Sequence, residues 1–117
     1  VNNITLNKSS IIDFEKIKSC LKISKCNDFV DINSYKTFKI GESGKYLSGG
    51  QRQRIAIARA LYNLKQILII DEGFSGIDVE IAEKILKNIK SSFPDLTIII
   101  TSHNKFIDKY TDYYIKV

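Results

Sequence analysis

Two apolar runs, Ile67-Leu68-Ile69-Ile70 and Ile98-Ile99-Ile100, lie one helix-length apart, and each stops abruptly at polar residues. Asp71-Glu72 ends the first, and the second, running through Thr101, ends in Ser102-His103. A membrane-spanning helix needs about 18 or more apolar residues. Short β-branched runs with charged ends fit buried strands of a parallel sheet instead. Between them, Ile81, Ile85 and Ile89 recur every fourth residue with Ala82 and Leu86 alongside, and Asp78 stands where an N-cap belongs. Phe93-Pro94-Asp95 is a turn into a second strand over Leu96–Thr101. Strand, helix and strand, with both strands apolar on both faces, predict a right-handed βαβ unit in a parallel sheet. In such sheets ligands bind beyond the carboxyl ends of the strands. Asp71, Glu72, Ser102 and His103 fall at those ends, so the chain is expected to be an α/β protein with its chemistry there.

The remaining segments arrange around this unit. Val1–Leu6 reads as a helical turn. Ser10 is placed to cap a helix running through Ile23, with Phe14, Ile17 and Leu21 on one face. A short apolar element over Phe29–Ile32 follows, then a looped stretch, Thr37–Gly44, punctuated by Gly41 and Gly44. Ser48 and Gln51 form a capping-box pattern at the start of a helix rich in small and apolar residues, which Asn63 ends. A short helix over Asn104–Tyr110 and an edge strand over Tyr113–Val117 complete the reading.

Composition sets the limits. A chain of 117 residues supports one core, and 44% hydrophobic against 26% charged residues excludes a disordered chain. The net charge of +5 comes from scattered lysines rather than a basic stripe, so no nucleic-acid partner is expected. Cys20 and Cys26 lack zinc-ligand or redox-motif spacing and read as reduced thiols. The sequence has no Met, so it reads as a piece of a longer polypeptide.

Three constellations carry chemistry. In Leu47-Ser48-Gly49-Gly50-Gln51, two glycines at a helix start leave backbone N–H groups unshielded beside about half a positive charge of helix dipole. That end suits phosphate, although the cap alone reads better as an ordinary helix start, and only the whole string through Arg59-Ala60-Leu61 is specific. The carboxylates Asp71 and Glu72 can hold Mg²⁺ and accept a proton from water, or they can simply end a strand in solvent. His103, the sole histidine, joins Glu72 at the same sheet edge. Gly44-Lys45 is not a P-loop: Lys39 stands where the motif needs glycine and Tyr46 where it needs Ser or Thr.

The string Leu47–Leu61, LSGGQRQRIAIARAL, closely resembles the signature motif of ATP-binding-cassette (ABC) nucleotide-binding domains and the helix after it. Asp71-Glu72 resembles the end of the family's Walker B strand, Ser75-Gly76-Ile77-Asp78 its D-loop and His103 its switch histidine, in the family's order and spacing. Thr37…Gly41-Glu42-Ser43-Gly44 and Asn3-Ile4 are similar to exporter segments. Gly73-Phe74 and Gly76 depart from the usual exporter residues. The resemblance implies an exporter-like ATPase domain running from after the Q-loop through the switch histidine. Its fold would be a partial P-loop NTPase (RecA-like) core with parallel strands and flanking helices, plus the ABC helical subdomain, with the P-loop strand absent. Residues 1–50 would be the helical subdomain and 51–117 the core. The missing strand would sit between Leu96–Thr101 and Tyr113–Val117.

The same resemblance implies roles. Asp71 would bind Mg²⁺, Glu72 would be the general base and His103 would contact the γ-phosphate. Ser48, Gly49, Gly50 and Gln51 would face ATP held by a second, opposed domain, with Ser75 and Asp78 at the dimer interface. Closure would drive a transmembrane domain of an exporter, contacted through Thr37–Gly44, at the cytoplasmic face of the cell membrane. By itself the chain is expected to bind ATP poorly and to aggregate. Competing readings are an ABC-type ATPase of DNA repair or chromosome maintenance, and a non-catalytic module lending its signature motif to a partner. The sequence shows no heptads for the first, and it retains Glu72 and His103 against the second.

Overall fold

In a computed structural model, residues 12–31 and 47–116 are described. Helix α1 (Phe14–Ile23) is followed by a 3₁₀ turn, Cys26–Asp28, and then by α2 (Gly49–Tyr62). Strand β1 (Ile67–Asp71), helix α3 (Val79–Ser92) and strand β2 (Thr97–Thr101) come next, and a 3₁₀ helix, Lys105–Tyr110, ends the order. The expected strand–helix–strand unit is present. β1 and β2 pair in parallel, with Ile67 opposite Thr97 and Asp71 opposite Thr101.

Each helix start follows from its cap. Asp13 caps α1 by accepting from the Lys16 N–H at 3.0 Å. The predicted cap, Ser10, lies outside the described residues, and α1 begins at Phe14 because Asp13 holds an extended backbone that satisfies a first-turn donor. Ser48 and Gln51 form the full reciprocal box: Gln51 N–H donates to Ser48 Oγ at 3.1 Å and Ser48 N–H donates to Gln51 Oε1 at 2.9 Å. Asp78 caps α3 through Glu80 N–H at 3.0 Å.

One core joins the pieces. α1 contributes Ile17, Cys20 and Leu21, α2 contributes Ile55, Ala58 and Leu61, and α3 contributes Ala82, Ile85, Leu86 and Ile89. α1 packs on α2 and on α3, and α2 packs on β1. The polar joint between α1 and α2 is Arg54, nearly buried, which donates to the Lys25 carbonyl and to Asp28 Oδ2, both at 3.0 Å, and stacks 4.6 Å over Phe29.

Two expectations are corrected. The strands are not buried on both faces: Leu68 and Ile70 are covered, whereas Ile67, Ile69 and Ile99 are exposed, because nothing among the described residues packs on that side. Residues 113–116 form no strand, since the sheet of the described residues has only β1 and β2, and Tyr113, Tyr114 and Ile115 stand in solvent. Instead, a groove of about 320 Å³ opens between β2 and Tyr110–Tyr113, lined by Leu86, Leu96, Ile98 and Ile100 among others. Of the Phe29–Ile32 element, the described part is a turn and bend after the 3₁₀ turn, with Val30 buried. The readings for Val1–Leu6 and Thr37–Gly44 lie outside the described residues. No described helix is long and apolar enough to cross a membrane.

Candidate active site at the carboxyl ends of the parallel strands

Parallel pairing brings the two strand ends side by side, and the register aligns Asp71 with Thr101. Thr101 Oγ1 donates to Asp71 Oδ1 and accepts from the Glu72 N–H at 3.1 Å. The same N–H also reaches the Thr101 carbonyl at 3.1 Å. One threonine therefore orients one carboxylate and the backbone of the next. Nothing in the sequence analysis singled Thr101 out; the strand register carries the signal.

Glu72 holds φ 48°, in the left-handed region. For a non-glycine residue that conformation costs about 1–2 kcal/mol and persists only where the surroundings enforce it. The following residue shows one source of enforcement. A Cβ on Gly73 would come within 2.5 Å of Ile70 Cγ2, so the chain turns sharply where only glycine fits. Phe74 then drives into the core and meets Phe106 edge-on, with ring centroids 6.2 Å apart at 77°. Phe74 follows β1 and Phe106 follows β2, so this contact ties the two post-strand loops together. Gly73-Phe74, read from the sequence only as a departure, thus anchors the site.

The consequence is a short approach between Glu72 and His103. His103 Nε2 lies 3.3 Å from Glu72 Oε1, with the imidazole 97% exposed and the carboxylate 42% exposed. Ser102 Oγ accepts from Asn104 N–H at 3.0 Å, which shapes the turn that presents His103. Asp71, Glu72 and His103 therefore share one open edge. Asp71 is a single exposed carboxylate, and no cluster of three or more metal-ligating side chains occurs among the described residues. Mg²⁺ commonly takes one or two carboxylates with water and substrate phosphates completing its octahedron, so this donor set fits that ion.

The glycine-rich start of α2 packs beside this edge. A Cβ on Gly50 would lie 2.4 Å from the Gly76 carbonyl oxygen, so the first turn of α2 and the Ser75-Gly76 loop touch backbone to backbone. Gln53, absent from the sequence-derived site, spans the same gap. Its Nε2 donates to Ser75 Oγ at 3.0 Å and approaches the Glu72 carbonyl at 3.5 Å, while its Oε1 accepts from Gly76 N–H at 2.9 Å. Ser48 and Gly49 are exposed, with Gly50 and Gln51 half-buried, and the first-turn N–H groups of a helix have no intrahelical acceptor. Ser75 and Asp78 are also exposed. The two thiols are remote in character: Cys20 and Cys26 are buried and unbridged, and burial pushes each up to about 11.

Known proteins share this arrangement of sequence and fold. Residues 3–75 match the family described as ABC transporter. The alpha-hemolysin translocation ATP-binding protein HlyB of Escherichia coli is 38% identical over 95% of this chain, which spans 17% of that relative's length. The leukotoxin translocation ATP-binding protein LktB of a Pasteurella haemolytica-like species is 38% identical over 94% of the chain and 16% of its own length. Among solved structures, a bacterial Atm1-family ABC exporter with ATP bound superposes with a TM-score of 0.74 at 27% identity, covering 95% of this chain and 19% of the other. The dimeric structure of MJ0796, a bacterial ABC transporter cassette, gives 0.66 at 25% identity over 89% and 43%. On these matches the chain belongs to the ABC transporter family, as an exporter-like ATP-binding domain.

Proposed function

We propose that this chain forms the signature and hydrolytic part of an ATPase that works as a dimer to power transmembrane export. The observation that carries the proposal is the 3.3 Å approach of His103 Nε2 to Glu72 Oε1 beside Asp71, at the carboxyl ends of two parallel strands. The likeness to exporter ATP-binding proteins and to a dimeric cassette supports it.

In this reading Asp71 would hold Mg²⁺, and that ion would supply charge neutralisation at the nucleotide phosphates. Thr101 keeps the Asp71 carboxylate oriented through its hydroxyl. Glu72 accepts a proton from the attacking water, its carboxylate lying beside His103 Nε2. His103 contacts the γ-phosphate from its exposed ring and meets Glu72 through Nε2. The first turn of α2, with Ser48, Gly49, Gly50 and Gln51, offers N–H groups and a hydroxyl to ATP held by the opposed domain. Ser75 and Asp78 lie at that dimer interface. Residues 1–50 form a helical subdomain and 51–117 part of the ATPase core, and Thr37–Gly44 meets the exporter's membrane domain at the cytoplasmic face.

The 117 residues contain no P-loop motif, so tight ATP binding depends on a P-loop supplied with them, its strand seated in the groove beside β2. The chain by itself binds ATP weakly, and submicromolar binding by a soluble monomer in calorimetry would overturn that dependence. The decisive variant is Glu72→Gln in the polypeptide that joins this chain to a phosphate-binding half. Turnover is expected to fall by about 10²-fold or more, the usual contribution of a general base, with ATP affinity unchanged. Near-wild-type hydrolysis removes Glu72 from the role of base.

A further inference from the structure

The left-handed backbone at Glu72 has to be held from both sides. Its N–H is held by Thr101, through the carbonyl and the hydroxyl. On the other side its carbonyl accepts from Ser75 N–H at 3.1 Å and faces Gln53 Nε2 at 3.5 Å. Gln53 reaches there from the second turn of α2, the helix whose first turn carries Gly49 and Gly50. The same amide holds Ser75 Oγ and Gly76 N–H, so one half-buried side chain uses both its donor and its acceptor on a single loop. Gly50 lies against that loop with no room for a side chain. A displacement of the α2 start therefore meets the loop at two points.

We propose that Gln53 is a positioning residue that couples the glycine-rich first turn of α2 to the backbone of Glu72 within one domain. Its catalytic consequence rests on the ATPase reading above, whereas its geometric half does not. Leucine has similar bulk and no hydrogen-bonding group. Glutamate keeps the acceptor for Gly76 N–H and removes the donor to Ser75 and Glu72. The two variants thus separate the two ends of the contact.

The experiment uses the polypeptide joining this chain to a phosphate-binding half, with amide exchange and steady-state ATP hydrolysis measured on wild type, Gln53→Leu and Gln53→Glu. In Gln53→Leu, Gly76 N–H is expected to exchange about tenfold faster, as befits loss of the side-chain acceptor that holds it. Amides of Ile85 and Leu86 in α3 keep their rates. The kcat falls about tenfold while KM stays within about twofold, the signature of a misplaced catalytic group rather than lost binding. Gln53→Glu retains Gly76 protection and still lowers kcat. Unchanged Gly76 exchange in Gln53→Leu, or wild-type kcat in either variant, overturns the proposal. If the wild-type polypeptide hydrolyses no ATP, the ATPase reading fails instead, and Gly76 exchange alone upholds or overturns the coupling geometry. If Gln53→Leu loosens α3 as well, Gln53→Glu decides: protected Gly76 with lowered kcat supports the coupling, and full kcat overturns it.

Discussion

A Cβ at Gly50 would lie 2.4 Å from the Gly76 carbonyl oxygen, whereas one at Gly49 meets nothing nearer than Arg52 Nη2 at 3.9 Å. Neighbouring glycines that look equivalent in the sequence are thus held for different reasons. Gly49 leaves the helix start open to solvent, and Gly50 lets two backbones touch. Gly50→Ala is expected to cost about 1–3 kcal/mol, the range for overpacking against a rigid neighbour. Gly49→Ala is expected to stay within about 0.5 kcal/mol, as surface substitutions do. Urea-unfolding midpoints of the two variants check the contrast, and equal midpoints would remove the steric argument. The sequence could mark both positions as glycine at a helix start, but not the loop that only one of them meets. The same holds at Asp71 and Glu72. Their place at a strand end was readable from the apolar run that precedes them, while Thr101, which contacts both, became visible only through the register of β1 and β2.

At the scale of elements, helix existence was well marked, as were the starts of α2 and α3, but not that of α1. The fourfold spacing of Ile81, Ile85 and Ile89 and the Asp78 cap located α3 because periodicity and capping agreed. For α1 the cap moved from Ser10 to Asp13, since several residue types can cap and tertiary contacts choose among them. Tyr62 takes part in that choice: its hydroxyl accepts from the Asp13 N–H at 3.3 Å. The thiols of α1 and the turn after it give a pH test. Cys20 and Cys26 are each raised from 9.0 to about 11 chiefly by burial. Below pH 9 both states keep the protons. Between about 9 and 11 the unfolded chain releases protons that the folded chain retains, so stability falls across that window. Urea midpoints from pH 8 to 11 should decline more steeply for wild type than for a Cys20→Ala, Cys26→Ala variant, which lacks both groups. Parallel curves would show that the thiols are not held protonated by the fold.

At the scale of the molecule, one face of the strand pair is apolar and exposed. Ile67, Ile69 and Ile99 are 56%, 67% and 51% exposed on one face of adjacent strands. Such apolar side chains side by side on a sheet that has only two strands among the described residues favour association. Ile69→Thr keeps a β-branched residue in β1 and removes apolar area from that face. It should lower light scattering at a given concentration while moving the unfolding midpoint by less than about 0.5 kcal/mol, because the side chain has little packing to lose. Undiminished scattering would place the association surface elsewhere.

The amino-acid sequence by itself determined the α/β class, the strand–helix–strand order, the α2 capping box and the family resemblance. Each of these depends on local spacing: periods of apolar residues, a cap three residues from its partner, or a contiguous motif. Only the tertiary structure decided which strand face is covered, that Tyr113–Lys116 joins no strand among the described residues, and that Phe74 and Phe106 lock the two post-strand loops together. It alone brought Gln53 within hydrogen-bonding distance of Ser75 and Gly76, 22 and 23 residues along the chain. Such contacts join segments distant in sequence, and no local pattern encodes their meeting. They arise when the core that buries α1, α2 and α3 fixes where each loop must return.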